Sequence, residues 1–151
     1  MPALEKNIVD TGPIVALLVA GDAHHAWAQR VWGELEPPLL TCEAVLSEAQ
    51  FLVARFGGNP RSVLEFVRRG ALRVAFEVEN EVQRLLELEG SYRTLPMSLA
   101  DACLVCMTEK LLHCRVITTD SHFRVYRRHG RRLIPVLMPE TIQGGRETRV
   151  G

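Results

Sequence analysis

The sequence lacks an apolar run long enough to span a membrane, any net charge and any internal repeat. Its first ten residues also lack the basic-then-apolar order of a signal peptide, so the expectation is a cytoplasmic protein. The 18 basic and 18 acidic residues cancel, so total charge makes no case for nucleic acid and local charge has to make it. Cysteine is scarce. Cys42, Cys103, Cys106 and Cys114 include one CxxC spacing, but no second ligand pair with finger-like spacing follows. Cys103 and Cys106 fall within an apolar helical stretch, where thiols are expected as small buried hydrophobes rather than disulfide or zinc partners.

What remains is an ordinary globular composition: 151 residues, 47% hydrophobic and 24% charged. That length suits one domain with a proper core, expected over 1–140, followed by a frayed tail over 141–151. Ile8 and Val9 read as a short buried strand ending at Asp10. Helices are predicted from Gly12-Pro13 to Ala20 and from Asp22 to Glu34. Leu39 and Leu40 form a strand. Thr41 would cap a helix over Cys42 to Phe56, and Asn59-Pro60 opens another to Arg69. Leu72 to Phe76 alternates as a strand, and Glu77 to Glu89 has helical spacing. Ser98 to His113 is apolar nearly all round and should be buried. Val116 to Thr119 is a strand ending at Asp120, Phe123 to Arg128 a short helix, and Leu133 to Val136 the last strand. Short apolar strands alternating with helices imply a mostly parallel sheet covered on both faces, a three-layer α/β/α sandwich. Such sheets bind ligands beyond the carboxyl ends of their strands, where Asp10 and Asp120 lie.

Four carboxylates are candidate site residues, and each has a plain structural role available. Asp10 and Asp120 could simply cap the segments that they precede. Asp101 stands three residues after Ser98, close to a capping box. Glu48 competes with Glu43. At about 100° per residue, Val45, Ala49, Leu52 and Phe56 share one face; Glu48 lies at its border and Glu43 nearly opposite. Glu48 is therefore the residue that can reach a cleft beside the core. Several acids on one cleft repel unless protonated or bridged by metal, and hard cations such as Mg²⁺ or Mn²⁺ prefer oxygen ligands. A metal-dependent nuclease uses that arrangement. Thr11, Ser98 and Thr118 could orient the ligands or water.

The strings Ile8-Val-Asp-Thr, Val45-Leu-Ser-Glu, Leu95-Pro-Met-Ser-Leu-Ala-Asp-Ala and Ile117-Thr-Thr-Asp-Ser-His-Phe resemble the PIN-domain family. They are especially similar to VapC-type toxins of bacterial toxin–antitoxin pairs. The likeness runs from about Asn7 to Val136. It implies a helix-flanked parallel sheet and a Mg²⁺- or Mn²⁺-dependent endoribonuclease, with Asp10, Glu48, Asp101 and Asp120 as catalytic metal ligands for one or two ions. Many members carry a further acid where this chain has Ser98. The resemblance also implies a homodimer silenced by a cognate antitoxin that inserts near the active site.

Arg124, Arg127 and Arg128 lie closely after Asp120 and, with Arg131, Arg132 and His129, could hold RNA phosphates or dock an acidic partner segment. Two other readings compete with a nuclease. One is a catalytically inactive PIN-like module that binds RNA or protein. The other is a phosphotransfer domain with Asp10 as nucleophile. Against the latter, a second acid two residues on would be needed and Gly12 stands there, while the only late lysine is Lys110, inside a helix.

Overall fold

The structure is a computed structural model that describes residues 5–140; the tail expected over 141–151 lies outside the described residues. Five parallel strands form the central sheet: β1 (Lys6–Val9), β2 (Leu39–Thr41), β3 (Leu72–Val74), β4 (Cys114–Ile117) and β7 (Val136–Leu137), in the order β3-β2-β1-β4-β7. Six helices flank it: α1 (Thr11–Leu18), α2 (His25–Glu34), α3 (Glu43–Arg55), α4 (Arg61–Arg68), α5 (Val82–Ser91) and α6 (Leu99–Lys110). A two-stranded antiparallel ribbon, β5 (Arg127–Arg128) with β6 (Arg132–Leu133), sits apart from the sheet. The α/β sandwich read from the pattern is the fold observed.

The strand order positions the site. The chain builds outward from β1 through β2 to β3, then returns past β1 to lay down β4 and β7. Order therefore reverses between β1 and β4, the place where such sheets open a crevice beyond their carboxyl ends. Register brings the ends level: Val9 pairs with Ile117, and the Asp10 amide donates to the Ile117 carbonyl at 3.0 Å. Ile8, Val9, Val116 and Ile117 are fully buried, so the strands underneath cannot slip without exposing the sheet's apolar faces. α6 is buried from Ala102 through Thr108, as its apolar circumference predicts. All four cysteines are free and buried, as expected of small hydrophobes.

Several elements differ from their sequence expectation. Thr41 does not cap α3. It belongs to β2, and its hydroxyl donates to the Val9 carbonyl at 3.0 Å, tying the two strand ends together. Cys42 takes the cap position without a side-chain bond. α2 begins at His25, because Asp22 turns the chain by accepting from the His24 amide at 2.8 Å. The stretch from Glu77 splits into a 3₁₀ turn over Val78–Glu81 and α5. The helix expected over Phe123 to Arg128 is a 3₁₀ turn over Ser121–Arg124 that runs into β5. His129 and Gly130 explain the change: both have positive φ, 54° and 79°, and the Arg131 amide closes on the Arg128 carbonyl at 3.3 Å. With Arg128 paired to Arg132, the loop of His129, Gly130 and Arg131 reverses the chain before a helix can continue. The strand expected over Leu133 to Val136 divides between β6 and β7. Pro135 lacks an amide hydrogen; only its carbonyl joins the sheet, accepting from the Val116 amide at 2.9 Å.

Candidate metal-binding active site

Asp10 is the most enclosed of the four acids, with 6% of its surface exposed. It caps α1: Oδ1 accepts from the Thr11 amide at 2.7 Å, and Oδ2 accepts from the Thr118 hydroxyl at 2.7 Å. The capping role that the sequence offered for Asp10 is thus filled. Burial pushes its carboxyl up to about 7; the Thr118 and Thr11 bonds pull it down, and the charges of Asp101 and Asp120 push it up further. Gly12 makes the approach possible, because a Cβ there would stand 2.0 Å from the Thr119 hydroxyl.

Thr118 links the two strand ends. Its buried hydroxyl donates to Asp10 and accepts from the Asp120 amide at 2.9 Å. Asp120 stands at the mouth, its side chain 37% exposed. Its Oδ1 accepts from the His122 amide at 2.9 Å, and the His122 ring nitrogen Nδ1 lies 3.4 Å from the same oxygen.

Asp101 arrives from the first turn of α6. Ser98 caps that helix, accepting from the Asp101 amide at 3.1 Å, so its hydroxyl is engaged by the main chain. Asp101 Oδ2 lies 2.9 Å from the Tyr126 hydroxyl, which also stands 2.7 Å from the Pro96 carbonyl. One phenolic proton serves one of these acceptors at a time. Burial raises the Asp101 carboxyl, the Tyr126 bond lowers it and Asp120 raises it. Nothing in the sequence marks Tyr126: an aromatic six positions after Asp120 has no spacing signature. Its role appears only when the 3₁₀ turn carries it beneath α6.

Glu48 completes the group from α3. The residue is exposed on the helix, and its carboxyl is raised by partial desolvation and by the charges of Asp101 and Asp120. Thr11 lies beside it and lowers it, yet the buried Thr11 Oγ1 makes no hydrogen bond of good geometry. Glu43 faces a different surface, a pocket shared with Phe76, Asn80, Glu81 and Lys110. The border position of Glu48 on α3 thus brings it to the other acids, and Glu43 stays away.

The electrostatic linkages join the four carboxylates into one group: Asp10 feels Asp101 and Asp120, Glu48 feels both as well, and Asp101 feels Asp120. Among the described residues, no three His, Cys, Asp or Glu side chains close around a common point at ligand distance. Like charges without a counter-ion favour separated rotamers. Even so, the donor set fits a hard divalent cation. It is all oxygen, three of its carboxyls are raised by burial and mutual repulsion, and it includes an orphaned buried hydroxyl, Thr11 Oγ1.

The three arginines expected near RNA divide. Arg127 Nη1 donates to the carbonyls of Arg124, Val125 and Tyr126, and Arg128 Nη2 donates to those of Thr108 and Leu111. Their guanidinium groups brace the main chain. Arg124 is exposed.

The PIN domain family model matches residues 8–128. That span holds all four acids together with Thr118 and Tyr126. The chain belongs to the PIN-domain family. Its structure is also similar to the crystal structure of Mycobacterium tuberculosis VapC20, described as a sarcin-ricin loop cleaving toxin. The two share 26% identity with a TM-score of 0.66, over 74% of this chain and 87% of that one. No curated protein matches the sequence. The VapC-type likeness read from the four motifs is therefore matched by fold as well as by family, and the phosphotransfer alternative falls away. No helix among the described residues is long and apolar enough to cross a membrane.

Proposed function

We propose that the chain is a Mg²⁺- or Mn²⁺-dependent endoribonuclease and the toxin of a type II toxin–antitoxin pair. The observation that supports the reading is the PIN-family match over residues 8–128, with Asp10, Asp101, Asp120 and Glu48 near enough to raise one another's carboxyls by charge. Such a group is far better satisfied beside a cation than alone.

Asp10, Asp101 and Asp120 would hold the metal, and Glu48 would either join them or position the attacking water. A bound divalent ion supplies acidification of water and neutralisation of charge at the phosphate. The chain's own residues do the rest. Thr118 fixes the Asp10 carboxylate through Oδ2 and ties it to the Asp120 main chain. Tyr126 orients Asp101 through Oδ2. Glu48, with a raised carboxyl, is suited to accept a proton from the attacking water on a carboxylate oxygen. Arg124 is free to meet a phosphate of the strand. The reaction is phosphodiester hydrolysis: a water oxygen bonds to phosphorus and one ester oxygen leaves. The ribose 2′-hydroxyl is not the nucleophile, so no catalytic histidine is needed and His122 serves as a turn residue.

A cytoplasmic homodimer restrained by a cognate antitoxin completes the proposal, by analogy with VapC-type members. The test is RNA cleavage by purified protein with and without Mn²⁺ or Mg²⁺. Cleavage should vanish in chelator and in Asp10→Asn and Asp101→Asn, both still folded. A folded wild-type protein indifferent to metal would leave only a binding module.

A further inference from the structure

After Asp120 the chain tracks α6 from end to end. Tyr126 meets Asp101 in its first turn, Arg128 meets the Thr108 and Leu111 carbonyls at its last, and the His129 amide donates to Glu109 Oε2 at 2.7 Å. The β5–β6 hairpin is therefore pinned at the far end of the helix. The eight residues from Asp101 to Glu109 span about 12 Å at 1.5 Å each.

At the hairpin tip, His129, Gly130, Arg131 and Arg132 form a shallow surface open to solvent. Arg131 and Arg132 are exposed, and neither has an ion-pair partner among the described residues. The nearby acid, Glu109, is already held at both oxygens by Arg84, at 2.8 and 2.7 Å. The positive charge of the tip is thus uncompensated among the described residues; Arg127 and Arg128 also lack an ion pair, but their guanidinium groups are anchored to main-chain carbonyls and are not free to swing toward a ligand. Arginine is the side chain whose planar fork matches phosphate oxygens, and a tight turn loses little entropy on binding.

We propose that Arg131 and Arg132 form a second phosphate-binding subsite, holding the RNA strand about three to four stacked nucleotides from the bond that is cut, at ~3.4 Å of rise each. This rests on the ribonuclease reading and adds to it a minimum substrate length and an outlying anchor.

The test compares R131Q/R132Q with wild type on a single-stranded RNA of about 20 nucleotides and on a dinucleotide, lengths that do and do not reach from the acids to the tip. Binding is measured by fluorescence anisotropy in the Asp10→Asn background, and kcat/KM in the active background. R61Q/R73Q, which removes two exposed arginines on α4 and β3, controls for net charge. Loss of two single-strand phosphate contacts should lower the log–log salt slope by about 1.4 and weaken long-RNA binding about tenfold near 0.15 M salt. KM should rise on the long RNA with kcat retained, and the dinucleotide should be unaffected. Equal losses on both lengths, or equal losses in the control, overturn the subsite. So does unchanged binding of the long RNA, which would leave the tip to an acidic protein segment. Wild type that cuts RNA while R131Q/R132Q binds it normally overturns the subsite alone; wild type that binds no RNA overturns the ribonuclease reading with it.

Discussion

Asp10→Asn should stabilise the metal-free protein at alkaline pH while abolishing activity. In the folded chain burial holds the carboxyl near 7, against 3.8 for the ordinary group. Between those values the folded state binds more protons than the unfolded state, so stability falls as pH rises and levels off above about 7. The span of about three pH units corresponds to about 4 kcal/mol, and about 2 to 3 kcal/mol of it falls between pH 5 and pH 8. Asparagine is nearly isosteric and uncharged. Its carbonyl can accept from the Thr11 amide and its amide can donate to Thr118, so the cap survives. The assay is urea denaturation in chelator at both pH values. Wild type should lose that stability across the range, and Asp10→Asn should lose much less and be the more stable protein at pH 8. Adding Mn²⁺ at pH 8 should raise the wild-type midpoint and leave the variant's unmoved. A variant destabilised equally at both pH values would refute the reasoning, because Asp10 would then be an ordinary ionised cap.

Other substitutions probe the supports of the site. Tyr126→Phe removes the bond to Asp101 and should cost about 1 kcal/mol of stability and roughly 10-fold or more in metal affinity, read by Mn²⁺ titration of cleavage; unchanged affinity would deny Tyr126 its orienting role. Gly12→Ala forces a Cβ against the Thr119 hydroxyl and should cost about 1–3 kcal/mol with loss of cleavage. Gly21→Ala, with nothing within 4 Å, should keep both, which a thermal melt and a cleavage assay check together. Arg128→Ala strips the carbonyl partners from the end of α6 and should lower stability by about 1–2 kcal/mol; an unchanged melting temperature would mean water replaces the guanidinium at no loss.

Legibility differs from element to element for physical reasons. α6 and the apolar pairs Ile8-Val9 and Val116-Ile117 are plain, because burial on both faces demands adjacent apolar residues, while β4 is shifted two residues earlier than Val116–Thr119 and ends at Ile117. Glu48 is separable from Glu43 because helical geometry is periodic and the α3 core stripe is well populated. Thr41 is hard to read because a hydroxyl before a helix has two ways to satisfy itself, and the neighbouring strand offers the better acceptor. The segment after Asp120 resembles helix in sequence because Arg127 and Arg128 carry no strand signal, and the turn at His129-Gly130 decides their conformation.

By itself the sequence determined the alternation of strand and helix, the burial of α6, and that Asp10 and Asp101 open helices, since these depend on periodicity and on neighbours along the chain. It could not determine that Thr118 bridges Asp10 to Asp120, that Tyr126 reaches Asp101, or that Arg127 and Arg128 brace carbonyls while Arg131 and Arg132 stand free. Those facts join residues as many as 108 positions apart. They are decided by the strand order that sets β4 beside β1 and by the path of the chain along α6, because hydrogen bonds and charge interactions act through space and not through sequence separation.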